Sequence, residues 1–179
     1  AFQVKQLVGG CLFDKLRVQV RVAADPEDVE AIKEELINQG YLRAEQKKRR
    51  KPKLTEKSLN KFKLSSGKTV LVGKNNLQND WLTLKKADKN HYWFHVKNIP
   101  GSHVILTDSQ PSDSDIQESA EIAAYFSKAE NSAHVPVDYI QGKRIKKPNG
   151  AKPGFVIYTG QKSIEVTPEA DEILAKRID

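Results

Sequence analysis

The chain has 179 residues, the usual size of one domain with room for a small appended element. Lysine and arginine total 30 against 23 aspartate and glutamate, and the formal net charge of +7 favours an anionic partner such as RNA, DNA or a membrane surface. The single cysteine, Cys11, excludes an intrachain disulfide and indicates a reducing compartment, so we expect a cytoplasmic protein. No stretch approaches the roughly 18 apolar residues that cross a bilayer, so we expect no membrane insertion.

Residues 1–42 are predicted to form a small element with one strand and one helix. The sequence starts without an initiator methionine or a secretion signal, so we expect a piece of a longer protein. Apolar and polar residues alternate over 16–22, which is the period of a half-buried strand. Asp25 and Pro26 supply an N-cap and a first-turn proline for a helix, and Gly40 ends it with left-handed backbone.

Residues 43–58 are predicted to be a basic linker. Between residues 43 and 63 ten lysines and arginines face only Glu45 and Glu56. Like charges repel one another, so the run is typical either of a solvated linker or of an arm that contacts RNA.

Residues 59–179 are predicted to form the main domain, because short strand signals dominate from there onward. The first hairpin is expected around Ser65-Ser66-Gly67, and the second around a type II turn at Ile99-Pro100-Gly101-Ser102. A capping signal of the form S-x-x-Q, ending at Gln117, precedes the strongest helix. Strands are predicted over 62–64, 68–72, 92–96, 104–107, 135–140, 155–158 and 163–166, and helices over 79–87, 115–130 and 169–176. This irregular order favours an α+β fold with a mainly antiparallel sheet flanked by helices.

Three stretches carry a resemblance to a known family. They are EAIKEELINQGYL at 30–42, a second at 70–106 that contains VGKNNLQND, WFH and PGSHV in this order, and a third at 118–168. These stretches resemble the NFACT-R domain and its preceding segment in RqcH-like proteins of the NFACT family, which are known in streptococci also as fibronectin-binding proteins. The residues before position 27 do not match the family pattern.

The resemblance implies a role and partners. Proteins of this family act in ribosome-associated quality control, where they bind the obstructed large ribosomal subunit and recruit tRNA, so that the stalled chain receives a C-terminal tail of alanine. The expected partners are therefore large-subunit rRNA and tRNA. The alternative from another class is an adhesin module that binds host fibronectin, which would add the cell surface to the expected cytoplasmic location.

The VGKNNLQND segment supplies the first candidate RNA contacts. A predicted strand ends at Gly73 and is followed by short polar side chains that suit phosphates or base edges. Asn79 and Asp80 are better explained by capping of a turn and a helix start. Lys74 and Asn76 are therefore the predicted RNA-binding residues of this segment.

His95 and His103 lie on either side of the predicted second turn and would approach each other if their strands pair. The sequence around them has neither cysteine nor the spacing of a zinc site, so we expect no metal. Histidines that donate hydrogen bonds in a polar site, or that contact RNA bases, are the preferred interpretation.

Aromatic residues concentrate at Trp81 and over 92–94. Packing in the core is the first interpretation for each ring, while one exposed ring would be able to stack on an unpaired base. The sequence leaves open which ring that is.

The segment from Gly142 to Gly154 combines cations with glycine and proline. Such a loop does not serve a core, so phosphate contact is the preferred interpretation over a merely solvated loop. The predicted contacts are Lys143, Arg144, Lys146, Lys147 and Lys152. No nucleophile or metal motif appears along the chain, so we expect an RNA-binding module without a cofactor and without enzymatic activity.

Overall fold

The structure is a computed structural model that describes residues 26–42 and 54–178. Its α-helices and mainly antiparallel sheet confirm the predicted α+β class. The strand predicted over 16–22, the N-cap at Asp25 and most of the basic linker lie outside the described residues.

In the part of the chain that the structure describes, eight strands form two antiparallel sheets. They are β1 (Asn60–Lys63), β2 (Thr69–Val72), β3 (Tyr92–Val96), β4 (Val104–Leu106), β5 (Val135–Gln141), β6 (Ile145–Lys146), β7 (Ile157–Tyr158) and β8 (Lys162–Val166). The six-stranded sheet has the order β1-β2-β4-β3-β5-β8, and β6 pairs with β7 in a separate two-stranded ribbon. The first predicted hairpin is confirmed, since Gly67 joins β1 to β2 with a left-handed φ of 87°.

Four α-helices in the described ranges accompany the sheets. They are α1 (Pro26–Asn38), α2 (Asn76–Trp81), α3 (Asp113–Tyr125) and α4 (Ala170–Ala175), and a π-helical stretch over Leu82–Lys86 continues α2. Gly40 follows α1 with a φ of 79°, as predicted for its C-terminal cap. Among the helices of the described residues, none is long and apolar enough to cross a membrane.

The six-stranded sheet is buried on both faces. On the helical face, Phe94 and Val104 belong to a cluster completed by side chains of α3 and α4. On the opposite face, Trp93 and Ile105 belong to a second cluster that includes Leu82 of the π-helical stretch. Neighbouring residues of one strand point to opposite faces, so β3 contributes to both cores.

The C-terminal residues cover the outer edge of β1. Backbone N of Lys63 donates to the carbonyl of Lys176 at 2.8 Å, and backbone N of Ile178 donates to the carbonyl of Lys61 at 3.0 Å. This pairing satisfies backbone N–H and C=O groups that an open edge strand would leave to solvent or to another chain.

Two helices differ in extent from their predictions. The helix predicted over 79–87 begins at Asn76, because the Asn75 side chain caps it by accepting a hydrogen bond from backbone N of Gln78 at 3.0 Å. The helix predicted over 115–130 is α3, which begins at Asp113 and ends at Tyr125. Its capping box joins Ser112 to Asp115 in place of the predicted S-x-x-Q pair.

The type II turn predicted at Pro100-Gly101 is wrong. A type II turn needs a positive φ at Gly101, but the left-handed residue of this connection is Asn98, with a φ of 56°. Gly101 instead permits a close approach, since a Cβ there would lie 3.0 Å from Cβ of Ser127. The chain that leaves α3 pairs with this segment, which is why the helix ends early.

Asp115 joins α3 to the first hairpin. Its carboxylate accepts hydrogen bonds from Lys68 Nζ at 2.8 Å and from the Ser66 hydroxyl. It also accepts a hydrogen bond from backbone N of Ser112 at 2.8 Å. Burial raises the pKa of Asp115, but the bonds from Lys68, Ser66 and Ser112 outweigh burial and hold the pKa well below its usual value.

Replacement of Asp115 by asparagine should lower the free energy of unfolding at pH 7 by about 1–3 kcal/mol, because charge-assisted hydrogen bonds are lost. A depressed pKa stabilises the fold above about pH 4, and this contribution disappears as the pH falls through the folded pKa. Urea titrations should therefore show a constant difference from the wild type above about pH 4 and a shrinking one below it. Asp113→Asn, an exposed neighbour, is the control. An equal effect of both variants would contradict the stabilising role assigned to the Asp115 carboxylate.

Deletion of residues 1–53 should leave a cooperative thermal transition, because every strand that the structure describes and helices α2 to α4 lie beyond the cut. Circular dichroism during heating is the measurement. Loss of the transition would mean that the deleted residues are part of the main domain.

Candidate nucleic-acid interface

Residues 142–158, here called the basic hairpin, concentrate positive charge. A 3-10 turn over Gly142–Arg144 leads into β6, and β7 returns the chain towards β8. The segment contains five lysines and arginines and no aspartate or glutamate. Lys143, Arg144, Lys146 and Lys152 are exposed, and Lys147 is half-buried. Four of the five cations predicted to contact RNA here are thus open to solvent.

The Asp80 carboxylate fixes the middle of the basic hairpin. One oxygen pairs with Lys147 Nζ, and the other accepts a hydrogen bond from backbone N of Gly154 at 2.8 Å. Gly154 has a φ of 78°, and a Cβ there would lie 2.6 Å from Oδ1 of Asn76, so this position requires glycine. The local capping role predicted for Asp80 is wrong, because Asn75 caps this helix and the Asp80 carboxylate makes long-range contacts instead.

A cluster of aromatic rings lies beneath the basic hairpin, centred on Trp93. The Trp93 ring stacks on His95 with centroids 5.6 Å apart. It makes an edge-to-face contact with His103 and a tilted contact with Tyr158, at centroid distances of 5.2 Å and 4.8 Å. Trp93 is only 1% exposed, so this ring is a core residue and not a stacking platform.

The two histidines come together as predicted, with ring centroids 5.6 Å apart. His103 is buried, its Nδ1 lies 2.8 Å from the Thr83 hydroxyl, and its backbone N donates to the Asn79 side chain at 3.1 Å. His95 is half-buried. Within 26–42 and 54–178, no three His, Cys, Asp or Glu side chains are grouped in a way that would hold a metal. His103 thus packs inside the domain, and a role for either ring in RNA contact stays a prediction.

Asp138 connects the basic hairpin to the sheet. Its carboxylate accepts hydrogen bonds from the Tyr158 hydroxyl at 3.2 Å and from the Ser163 hydroxyl at 2.5 Å. Burial, together with the charge of Asp138 and the hydrogen bond to it, raises the pKa of Tyr158 to about 12. The phenol therefore remains protonated at neutral pH and donates to Asp138, which ties β7 to β5.

Lys74 and Asn76 are buried beneath α1. Lys74 Nζ pairs with Asp28 at 3.0 Å, and the Asn76 amide donates to the Glu35 carboxylate. Asp28 and Glu35 lie two turns apart on one face of α1, and both are buried as well. Neither Lys74 nor Asn76 is part of the exposed cationic surface, so their predicted contact with RNA would require α1 to move.

A cleft of about 360 Å³ opens beside the basic hairpin. Arg144 and Lys162 line it together with Asp113 and the rings of Tyr92 and Tyr139. Two cations next to two partly buried rings are a suitable lining for an anionic group that carries a flat ring.

Two residues of this region were not predicted as functional from the sequence. Asp138 lies within a predicted strand, where its role depends on strand pairing that one sequence does not reveal. Phe155 was treated only as the start of a strand, although it is 54% exposed. Its position among glycine, proline and lysine was the available signal that its ring is not in the core.

Comparison with known proteins gives consistent similarities. A family profile described as the NFACT protein RNA binding domain matches residues 59–165. The chain is 48% identical over 163 residues to the Rqc2 homolog RqcH of Bacillus subtilis, covering 90% of this chain and 28% of that protein. It is 50% identical over 157 residues to the Rqc2 homolog RqcH of Streptococcus suis, covering 84% and 27%. The chain thus spans less than a third of the length of these curated relatives.

A solved structure is similar over almost the whole chain. It is the C-terminal part of the fibronectin/fibrinogen-binding protein from Streptococcus suis, with a TM-score of 0.82 and 44% identity, and the match covers 94% of this chain and 67% of that one. The similarity extends beyond residues 59–165 and supports the arrangement of elements described above.

Replacement of Asp80 by alanine should weaken RNA binding by about two- to tenfold, although it raises the net charge by one. The reason is that cations on a loosened hairpin lose more conformational freedom when they bind. Fluorescence anisotropy with a labelled tRNA measures the change, and Asp171→Ala, an exposed site on α4, is the charge-matched control. Tighter binding by both variants would mean that only net charge matters.

Proposed function

Because this chain belongs to the NFACT-R family of RNA-binding domains, we propose that its basic hairpin is a surface that contacts RNA. The observation that carries the proposal is an exposed run of cations with no carboxylate in the same segment, fixed by Asp80 and Asp138. Phosphate groups are the chemical partners that such a surface fits.

The proposed role is that of an RNA-binding module in a ribosome-associated quality-control factor. The curated relatives named RqcH support it, at close to half identity over most of this chain. In this role the module binds rRNA of the obstructed large subunit and tRNA in the cytoplasm, and so supports C-terminal alanine tailing by the longer protein.

The module works by positioning RNA, without turnover of its own. Lys143, Arg144, Lys146 and Lys152 would hold the sugar-phosphate backbone, which gives affinity with little sequence preference. The side chains that an RNA-cleaving reaction would recruit have other contacts, since Asp80 binds the basic hairpin and His103 contacts Thr83.

Co-sedimentation with purified large ribosomal subunits, with and without peptidyl-tRNA, tests the proposed role. The expected result is that the chain co-sediments with the subunits, more strongly when peptidyl-tRNA is present, and that added salt releases it. Binding to free tRNA without any binding to subunits would limit the function to tRNA contact.

A second candidate function is binding of host fibronectin at the cell surface. The observation that favours it is the similar structure, which belongs to a fibronectin/fibrinogen-binding protein. Capture on immobilised fibronectin at rising salt tests this candidate. Capture that disappears at the salt concentration that also releases RNA would indicate a shared cationic surface and not a dedicated adhesin.

Replacement of Lys143, Arg144 and Lys146 by alanine should weaken binding to tRNA and reduce the slope of log affinity against log salt by about 2, at roughly 0.7–0.9 per lost phosphate contact. Lys147 is left in place because it pairs with Asp80. The fold should survive, since the three side chains are exposed.

The matched control removes three exposed cations elsewhere, namely Lys57, Lys63 and Lys97. It lowers the net charge equally but leaves the basic hairpin intact, so its slope should change distinctly less. Equal losses in the two variants would reduce the basic hairpin to one source of diffuse positive charge among others.

A further inference from the structure

The basic hairpin exposes two large apolar side chains among its cations. Phe155 is 54% exposed and Ile157 is 48% exposed. Within the part of the chain that the structure describes, Phe155 is the only exposed residue among phenylalanine, tyrosine and tryptophan. A ring that stays half in water contributes little hydrophobic free energy to folding, so the position of Phe155 indicates a role outside the core.

The pairing of β6 with β7 explains why these side chains point outward. Val156 and Tyr158 pack against the cluster around Trp93, so the residues that alternate with them face away from the sheet. Lys146 lies directly opposite Ile157 in the register and therefore shares its outer face. The outer face of the basic hairpin thus carries an aromatic ring, an aliphatic side chain and a cation.

The backbone on which Phe155 stands is held on both sides. On one side, backbone N of Gly154 donates to Asp80, and backbone N of Phe155 donates to the Lys152 carbonyl at 3.1 Å. On the other side, the Tyr158 hydroxyl is bonded to Asp138. A ring on a fixed backbone loses little conformational entropy when it meets a ligand.

We propose that Phe155 stacks on an unpaired RNA base while Lys146 and Lys152 contact the phosphates beside it. The inference rests on the proposed RNA binding of the basic hairpin and adds the class of RNA, which is single-stranded. Every base offers a flat face to a ring, so stacking of this kind tolerates any sequence. A protein partner fits less well, because it would have to match the four exposed cations with carboxylates around an apolar centre.

The test compares Phe155→Ala and Phe155→Trp with the wild type, in fluorescence anisotropy with two RNAs. One is an unstructured oligonucleotide of about 12 nucleotides, and the other is a blunt duplex of the same composition. Phe155→Ala should bind the single strand about tenfold more weakly, within the range expected for one lost stacked base. Its salt slope and its affinity for the duplex should not change, because no cation is removed.

Two further variants complete the test. Phe155→Trp should restore the wild-type affinity for the single strand, since indole also stacks. Leu174→Ala, which truncates an exposed apolar side chain on α4, should bind like the wild type. Thermal melting of each variant shows whether the fold is intact.

The possible results separate this inference from the proposal on which it rests. If the wild type binds RNA and Phe155→Ala binds the single strand equally well, stacking is overturned while RNA binding by the cations stands. If Phe155→Ala keeps its RNA affinity but loses capture on fibronectin, the outer face contacts protein instead. If the wild type binds neither RNA, both ideas are wrong.

Discussion

Burial of the six-stranded sheet on both faces determines which side chains remain for a ligand. Phe94 faces α3 and the adjacent Trp93 faces the basic hairpin, so these two rings of β3 belong to the two cores. Their burial contributes the hydrophobic stabilisation of the domain. Contact with a partner is consequently left to segments that cross the sheet or leave it, above all the basic hairpin.

In the basic hairpin, one cation is neutralised by the same carboxylate that fixes the backbone. Asp80 neutralises Lys147, but it also fixes Gly154, and the remaining four cations stay exposed. A flexible loop with five cations would attract RNA from the same distance and would then lose more conformational entropy on binding. Fixed spacing of charges also suits a phosphate backbone, in which the charges recur at regular intervals.

The sequence was sufficient for the local features and insufficient for the long-range ones. The first hairpin and the left-handed Gly40 follow from glycine at positions that turns and caps require, and short strand signals between turns located the strands of the central sheet. Gly101 was misread, because it serves a close approach to Ser127 that only the tertiary fold creates. Lys74 looked like a surface cation because its partner, Asp28, lies far away in the sequence and nothing local marks the pair.

The pairing of β1 with residues 176–178 also has a consequence for the order of folding. During synthesis β1 and its hairpin emerge early, whereas the segment that covers the outer edge of β1 emerges only after every other strand of the sheet. Until then a nascent sheet exposes an unpaired backbone edge, the type of surface on which chains join one another. Contacts so distant in sequence form slowly, and the interval before closure is when this domain is most exposed to aggregation and most in need of a chaperone.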